Sequence, residues 1–155
     1  MSLSPPERAL RVTPMSTADI VEAAVWIAAL PPWRLAGATP VSMQQEMLKR
    51  RCVALRDGCD IIAVAAHASE RSIGAFLSVL AVRPDRQGQG VGSHLLAIVE
   101  REIFQTRPEV HVCVSAEDEV GGAWLRARGY RQKATLPGYG LTGSVAALYV
   151  RRRTT

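Results

Sequence analysis

The stretch Leu80-Ala81-Val82-Arg83-Pro84-Asp85-Arg86-Gln87-Gly88-Gln89-Gly90-Val91-Gly92-Ser93-His94-Leu95-Leu96 decides how the rest of the chain is read. Its first residues close a long apolar run, Ser72 to Val82, that reads as a buried strand. Its last residues open a helix predicted from Ser93 to about Gln105, with Leu95, Leu96, Val99 and Ile103 on one face. Between the two, Gly88, Gly90 and Gly92 alternate. Glycine admits positive φ and lets the backbone approach a ligand closely. A helix N-terminus adds unsatisfied N–H groups and a partial positive charge. Together they form an anion site suited to a phosphate or diphosphate. Arg83 and Arg86 stand close enough in sequence to add charge-assisted contacts. Two familiar phosphate loops do not fit. The segment has no lysine for a P-loop, and Gly90 and Gly92 are too close together for the dinucleotide fingerprint.

Upstream of this stretch, two further strands are expected, Cys52 to Leu55 and Asp60 to Ala68, joined at Asp57-Gly58, a hairpin signal. With Ser69-Glu70-Arg71 as the next turn, the three strands form an antiparallel meander. Before them come a short strand at Leu10 to Thr13 and a helix from Ala18 to Leu30 capped by Ser16 or Thr17. Pro31-Pro32 stops that helix. Pro31 to Gly37 reads as a loop, and a second helix runs from about Ser42 to Arg50, with Ser42 as cap and Gln45 completing a capping box. Downstream lie a strand at Val110 to Val114, a helix at Glu119 to Arg128 stopped by Gly129, and closing strands at Arg131 to Thr135 and Ala146 to Arg151. The expectation is an α/β chain: a mixed, mostly antiparallel central sheet flanked by helices on both faces. Residues 1–8 are read as a loose N-terminus and 9–155 as one domain.

The length of 155 residues, 48% of them hydrophobic and 21% charged, suits one globular domain with a sizeable core. No apolar run approaches a membrane span, and the N-terminus lacks the pattern of a signal peptide. A soluble cytoplasmic protein is therefore expected, with no membrane partner. Cys52, Cys59 and Cys113 have neither pairing nor metal-ligand spacing, so free thiols are expected and no metal site. The net charge of +5 rests mainly on arginine. Its dense clusters, Arg50-Arg51 and Arg151-Arg152-Arg153, read as solvated ends rather than a nucleic-acid surface.

At this point the sequence resembles the GNAT superfamily of N-acetyltransferases. Leu80-Ala81-Val82-Arg83-Pro84 followed by Gln87-Gly88-Gln89-Gly90-Val91-Gly92 and Ser93-His94-Leu95-Leu96 matches that family's signature in strand ending, spacing and helix. The order of elements also agrees over roughly residues 9 to 153. The resemblance implies acetyl-CoA as cosubstrate and a primary amine of a small molecule or peptide as acceptor. The backbone amides of Gln87, Gly88, Gln89, Gly90, Val91 and Gly92, with Ser93, would hold the pyrophosphate. Leu80, Ala81 and Val82 would pair with the pantetheine arm, and a backbone N–H there would polarise the thioester carbonyl. The strand Val110 to Val114 would splay away to admit the arm. Asp118 stands where the family's next motif has Asn, Gly121 where it has Ala, and Gly129-Tyr130 matches its ending. Two departures bear on catalysis. Leu125 occupies the position of the usual general-acid tyrosine, and the strand Ser72 to Val82 carries no carboxylate where many members have a basic Glu.

The catalytic residues are thus unassigned. Tyr139, on the last loop, is a candidate for substrate contact or proton donation. Ser115 and Glu117 can order a proton-carrying water, although a turn or cap is the plainer reading. Trp33 borders the expected acceptor site and serves either as pocket wall or core anchor. His94, His111 and Cys113 read as a first-turn helix residue, a strand residue and a buried thiol. The expected activity is direct transfer in a ternary complex, in a monomer or homodimer. The rival readings are a catalytically weak acyl-CoA-binding or sensing domain and a basic nucleic-acid-binding domain.

Overall fold

The computed structural model describes residues 10–70, 74–139 and 143–154. Its elements are β1 (Leu10–Pro14), α1 (Thr17–Ala29), α2 (Pro31–Leu35), α3 (Pro40–Leu48), β2 (Arg51–Asp57), β3 (Asp60–Glu70), β4 (Gly74–Val82), α4 (Val91–Phe104), β5 (Glu109–Ser115), α5 (Glu119–Ala127), β6 (Arg131–Leu136) and β7 (Ala146–Arg152), with a 3₁₀ turn at Pro84–Arg86 before α4. The strands form one seven-stranded sheet in the order β1-β2-β3-β4-β5-β7-β6. Every neighbouring pair is antiparallel except β4 with β5. The expected meander of β2, β3 and β4 and the parallel step around the central helix are both present.

Two cores lie on opposite faces of this sheet. Leu95, Leu96, Val99 and Ile103 of α4 and Leu125 of α5 pack with Leu55, Leu77, Val110 and Val112 on one face. Ile20, Ala23, Ala24 and Ile27 of α1 and Met43 and Met47 of α3 pack with Val64, Ala66, Val79 and Ala81 on the other. Each fully buried leucine or isoleucine among them contributes on the order of 1.5–3 kcal/mol.

The alternation of β4 is broken once. Ala66 pairs with Val79 and His67 with Leu77, which leaves Ser78 as the extra residue of a β-bulge. On one side of it Ala75 and Leu77 face α4; on the other Val79 and Ala81 face α1 and α3. A bulge bends its strand and increases its twist. The β4–β5 ladder accordingly runs from Ala75↔Val110 to Leu77↔Val112 and ends at the bulge. Beyond it β4 stays with β3 as far as Ala63↔Val82, while β5 stays with β7 as far as Ser115↔Ala146. The sheet therefore opens into a V between Val79–Val82 and Cys113–Ser115. This is the splay that the resemblance implied, and its physical origin is the bulge at Ser78.

Several local expectations change. The segment after Pro31 is not all loop: Pro31 and Pro32 occupy the first positions of α2, where a missing N–H costs nothing. The cap of the next helix is Thr39 rather than Ser42. Pro40 takes the first helical position, and Ser42 becomes the third, its hydroxyl accepting from the Thr39 N–H at 2.9 Å. The central helix α4 begins at Val91, two residues before Ser93. Strand β3 continues through Ser69 and Glu70, which were expected in a turn; the remainder of that turn lies outside the described residues. The arginine clusters are not merely solvated. Arg50 pairs with Glu46, Arg51 with Glu102, Arg152 with Glu109, and Arg151 with the nearly buried Glu100.

Candidate functional site

The glycine segment joins the open end of β4 to α4. Gly88 and Gly90 have φ of 78° and 77°, and nothing lies within 4 Å of the place where a Cβ would stand on either. Gly90 is the N-cap of α4 with no side-chain cap bond. The first bond of the helix runs from the His94 N–H to the Gly90 carbonyl at 3.0 Å. Among the described residues, the amides of Gly88, Gln89, Gly90, Val91, Gly92 and Ser93 have no protein acceptor. A continuous run of acceptor-free N–H groups thus leads into the positive end of a helix, beside the V.

Gly92 serves a different purpose from the other two. A Cβ there would stand 3.2 Å from Val82 Cγ2 and 3.5 Å from Trp124 Cζ2, so its glycine lets α4 approach β4 and α5. Gln87 contributes its side chain, whose Nε2 donates to the Val82 carbonyl at 3.1 Å, and Gln89 Nε2 reaches the Asp85 carbonyl at 3.5 Å. These side chains staple the loop through backbone carbonyls and leave the backbone amides without a protein acceptor.

The two expected cations are both ion-paired. Arg83 forms a two-bond pair with Asp85 at 2.7 and 2.9 Å, which holds the Asp85 carboxyl below the usual carboxylate range. Arg86 is paired with Asp57 on the β2–β3 hairpin. Both positive charges are compensated. Arg128, at the C-cap of α5, lies instead against the first turn of α4: its Nε donates to Ser93 Oγ at 2.8 Å. Its Nη1 donates to the Trp124 carbonyl at 3.0 Å, and its guanidinium carbon sits 3.8 Å from the Trp124 ring centroid. The stacked Trp124–Arg128 pair was not foreseen. The four-residue spacing on one helix face was the only signal for it.

The remaining candidates divide. Leu80 and Val82 pack against the α4-side core and Ala81 against the other, with their backbones along the V. Asp118 caps α5, accepting from the Gly121 N–H at 2.9 Å. A Cβ at Gly121 would collide with its carboxylate, so the two departures from the family's motif fit each other. Ser115 Oγ accepts from the Glu117 N–H at 3.4 Å, the turn arrangement. Trp33 packs against the α1–α3 core as an anchor. Tyr139 is 66% exposed and borders residues outside the described ones. Leu125 is buried in the core beneath the sheet.

Cys113, the first residue of β5 beyond the splay, has its thiol pushed up to about 11 by burial. His111 is buried and stacked on Phe76 with centroids 5.6 Å apart, and burial moves it below its ordinary pKa. His94 is exposed in the first turn of α4. A cleft of 320 Å³ lined by Arg51, His67, Glu102 and Arg107 lies at the opposite ends of β4 and α4, away from the glycine segment. Among the described residues no cluster of His, Cys, Asp or Glu could hold a metal, and no helix is long and apolar enough to cross a membrane.

Known proteins share this fold. An acetyltransferase from Thermus thermophilus superposes with a TM-score of 0.76 at 20% identity, over 94% of this chain and 97% of that one. The ribosomal-protein-S18-alanine N-acetyltransferase from Escherichia coli gives 0.70 at 17% identity, over 95% and 96%. A GNAT family acetyltransferase from Elizabethkingia anophelis, crystallised with acetyl-CoA bound, gives 0.70 at 14% identity, over 93% and 98%. At these identities the likeness is one of fold. No curated protein matches the sequence itself. Residues 33–135, two thirds of the chain and the whole of the glycine site, match the family model of the acetyltransferase (GNAT) domain, and the chain belongs to that family.

Proposed function

We propose that the chain transfers the acetyl group of acetyl-CoA to a primary amine of a small molecule or peptide, by direct attack in a ternary complex. The observation that carries this reading is the run of acceptor-free amides from Gly88 to Ser93 beside the V between β4 and β5. Those amides suit a diphosphate. The β5-facing edge of β4 at Leu80 to Val82, which pairs with β3 on its other side only, suits the amide-bearing pantetheine arm, which would lie along it as an added strand. A backbone N–H there would stabilise the oxyanion. The relative from Elizabethkingia anophelis, with acetyl-CoA bound on the same fold, is in keeping with this.

In the reaction the neutral amine attacks the thioester carbonyl, the C–N bond forms, the C–S bond breaks, and the sulfur leaves as thiolate. The proton from the amine goes to water. Neither step needs the residues that this chain lacks. Thiols are far more acidic than alcohols or amines, so a thiolate is a tolerable leaving group without an acid. Positioning supplies much of the acceleration. On this reading the chain acts as one domain over residues 9–155, in the cytoplasm, as a monomer or homodimer.

Burial of Leu125 favours a second reading, an acyl-CoA-binding domain with little turnover. Two measurements decide. Thermal stabilisation by acetyl-CoA is expected under both readings, and its absence refutes both. Release of CoA thiol across a panel of amines is expected under the first alone.

A further inference from the structure

We infer that Arg128, held by Trp124 and Ser93, is the cation that recognises the diphosphate of the donor, and that it makes the protein selective for CoA thioesters over pantetheine thioesters lacking that group. The inference rests on the proposed acetyl-CoA reading and extends it to a residue on a different element.

Three observations support it. First, charge: among the described residues Arg128 has no carboxylate partner, whereas Arg83 and Arg86 are each neutralised by an aspartate. Second, location: its guanidinium is bonded to Ser93, the third residue of α4, whose own amide is one of the acceptor-free donors. A cation at the C-terminal end of α5 is favoured by that helix, but against the N-terminal end of α4 it meets charge of its own sign. An anion bound between them relieves that repulsion. Third, rigidity: of the five N–H groups a guanidinium carries, three are committed to Ser93 Oγ and the Trp124 carbonyl. The face lies on the Trp124 ring. The two remaining N–H groups are fixed in direction, so the ordering of a flexible side chain precedes binding. Trp124 is itself fixed, because it fills the space beside Gly92.

The test is calorimetric titration of acetyl-CoA, acetyl-dephospho-CoA and S-acetylpantetheine into wild type, Arg128→Gln and Arg128→Lys, with unfolding temperatures measured alongside. Arg128→Gln is expected to weaken acetyl-CoA and acetyl-dephospho-CoA alike, by about tenfold or more, as for a lost charge-assisted contact. S-acetylpantetheine, which has no phosphate, is expected to bind both proteins equally. Arg128→Lys keeps the charge without the fork and is expected to fall between. Wild-type affinity for acetyl-CoA is also expected to fall more steeply with added KCl than that of Arg128→Gln.

Equal acetyl-CoA affinity in wild type and Arg128→Gln overturns the inference and leaves the acetyl-CoA reading standing. A loss of equal size for S-acetylpantetheine also overturns it, because Arg128 is then only a packing residue. A loss confined to acetyl-CoA overturns the placement at the diphosphate. If Arg128→Gln does not fold, the Arg128→Lys series carries the same comparison. If the wild type binds no acetyl-CoA, both the inference and the reading beneath it fail.

Discussion

Gly90→Ala separates the backbone's role in folding from its role in binding, because Gly58 supplies a matched control. Gly58 and Gly90 have φ of 62° and 77°, and at each the space a Cβ would take is empty. An alanine incurs the left-handed penalty at both sites, about 1–2 kcal/mol, with no added collision. For a chain of this size that lowers the melting temperature by about 2–8 °C, and by a similar amount in the two variants. The consequences for binding differ. An alanine at Gly90 relaxes toward negative φ and turns the adjoining peptide planes, so that the free amides of Gly90 and Val91 no longer converge. Losing one charge-assisted bond of about 1.5–3 kcal/mol weakens a bound phosphate by roughly 10–150-fold. The assay is thermal unfolding with and without acetyl-CoA. At a hundred times Kd the ligand stabilises wild type by about 2.7 kcal/mol, and a tenfold weaker variant at the same concentration by about 1.4 kcal/mol. Gly58→Ala should retain the full ligand-induced shift, and Gly90→Ala should retain about half or less. Equal shifts in the two variants would show that the loop is a turn and not a cradle.

Three further outcomes follow from the same geometry. With no carboxylate on β4, kcat/KM should rise with pH in step with the free-base fraction of the acceptor. At pH 7.5 that fraction is about a quarter for an α-amine and roughly 0.1% for a lysine-type amine, and a rate plateau well below the amine's own pKa would reveal an enzymic base. Glu100→Gln should cost about 1.5–3 kcal/mol, because Glu100 accepts from Tyr130 Oη at 2.7 Å and from Arg151 Nη1 at 2.9 Å in a mostly buried setting. Arg152→Gln, which breaks only the exposed pair with Glu109, should cost under about 1 kcal/mol; equal losses in urea unfolding would contradict the burial argument. Cys59 is exposed, whereas burial pushes Cys52 and Cys113 up to about 11 from an ordinary 9.0, so one thiol should react rapidly with a disulfide reagent at pH 8. Because the folded state holds those two protons to higher pH than the unfolded one, their contribution to stability is present below pH 9 and is lost as pH rises toward 11.

What the sequence disclosed and what it hid follow from the range of the interactions. The strand before Arg83, the glycine run and the apolar face of α4 are each set by near neighbours, and all were legible. The Ser78 bulge was not. Alanine and valine occupy both faces of β4, Ala75 and Val82 on the α4 side and Val79 and Ala81 on the other, so no polar alternation marks where the parity changes. The cap at Thr39 was missed because Ser42 is an equally good capping residue type, and only Pro40 at the first helical position separates the two. The pairing of the cations near the glycine loop was hidden for a longer-range reason. Asp57 lies 29 residues before Arg86 and reaches it through the β2–β3 hairpin. Arg128 lies 35 residues after Ser93 and reaches it only when α5 packs beside α4. Contacts at such separations leave no periodic trace.

The two departures from the family's pattern can be weighed against each other through the fold. A tyrosine at position 125 would have to reach the V, yet Leu125 is 2% exposed and packed among Leu95, Leu96 and Val112. Putting a phenol there requires both a hydrogen-bond partner and more volume than the core offers, at a cost of about 1–3 kcal/mol for the volume alone. Restoring the acid by Leu125→Tyr is therefore expected to destabilise the chain before it helps turnover. The core beneath α5 is committed to packing, and acid–base help has to come from the solvent side of the V. That side carries Ser115 and Glu117, joined in a turn, with Glu117 exposed. On the proposed reading water there takes the proton, and water accepts well only from an amine that is already neutral or nearly so when it binds. On the proposed acetyl-transfer reading, the missing base and the missing acid point the same way, toward a low-pKa amine acceptor and a thiolate that departs unaided.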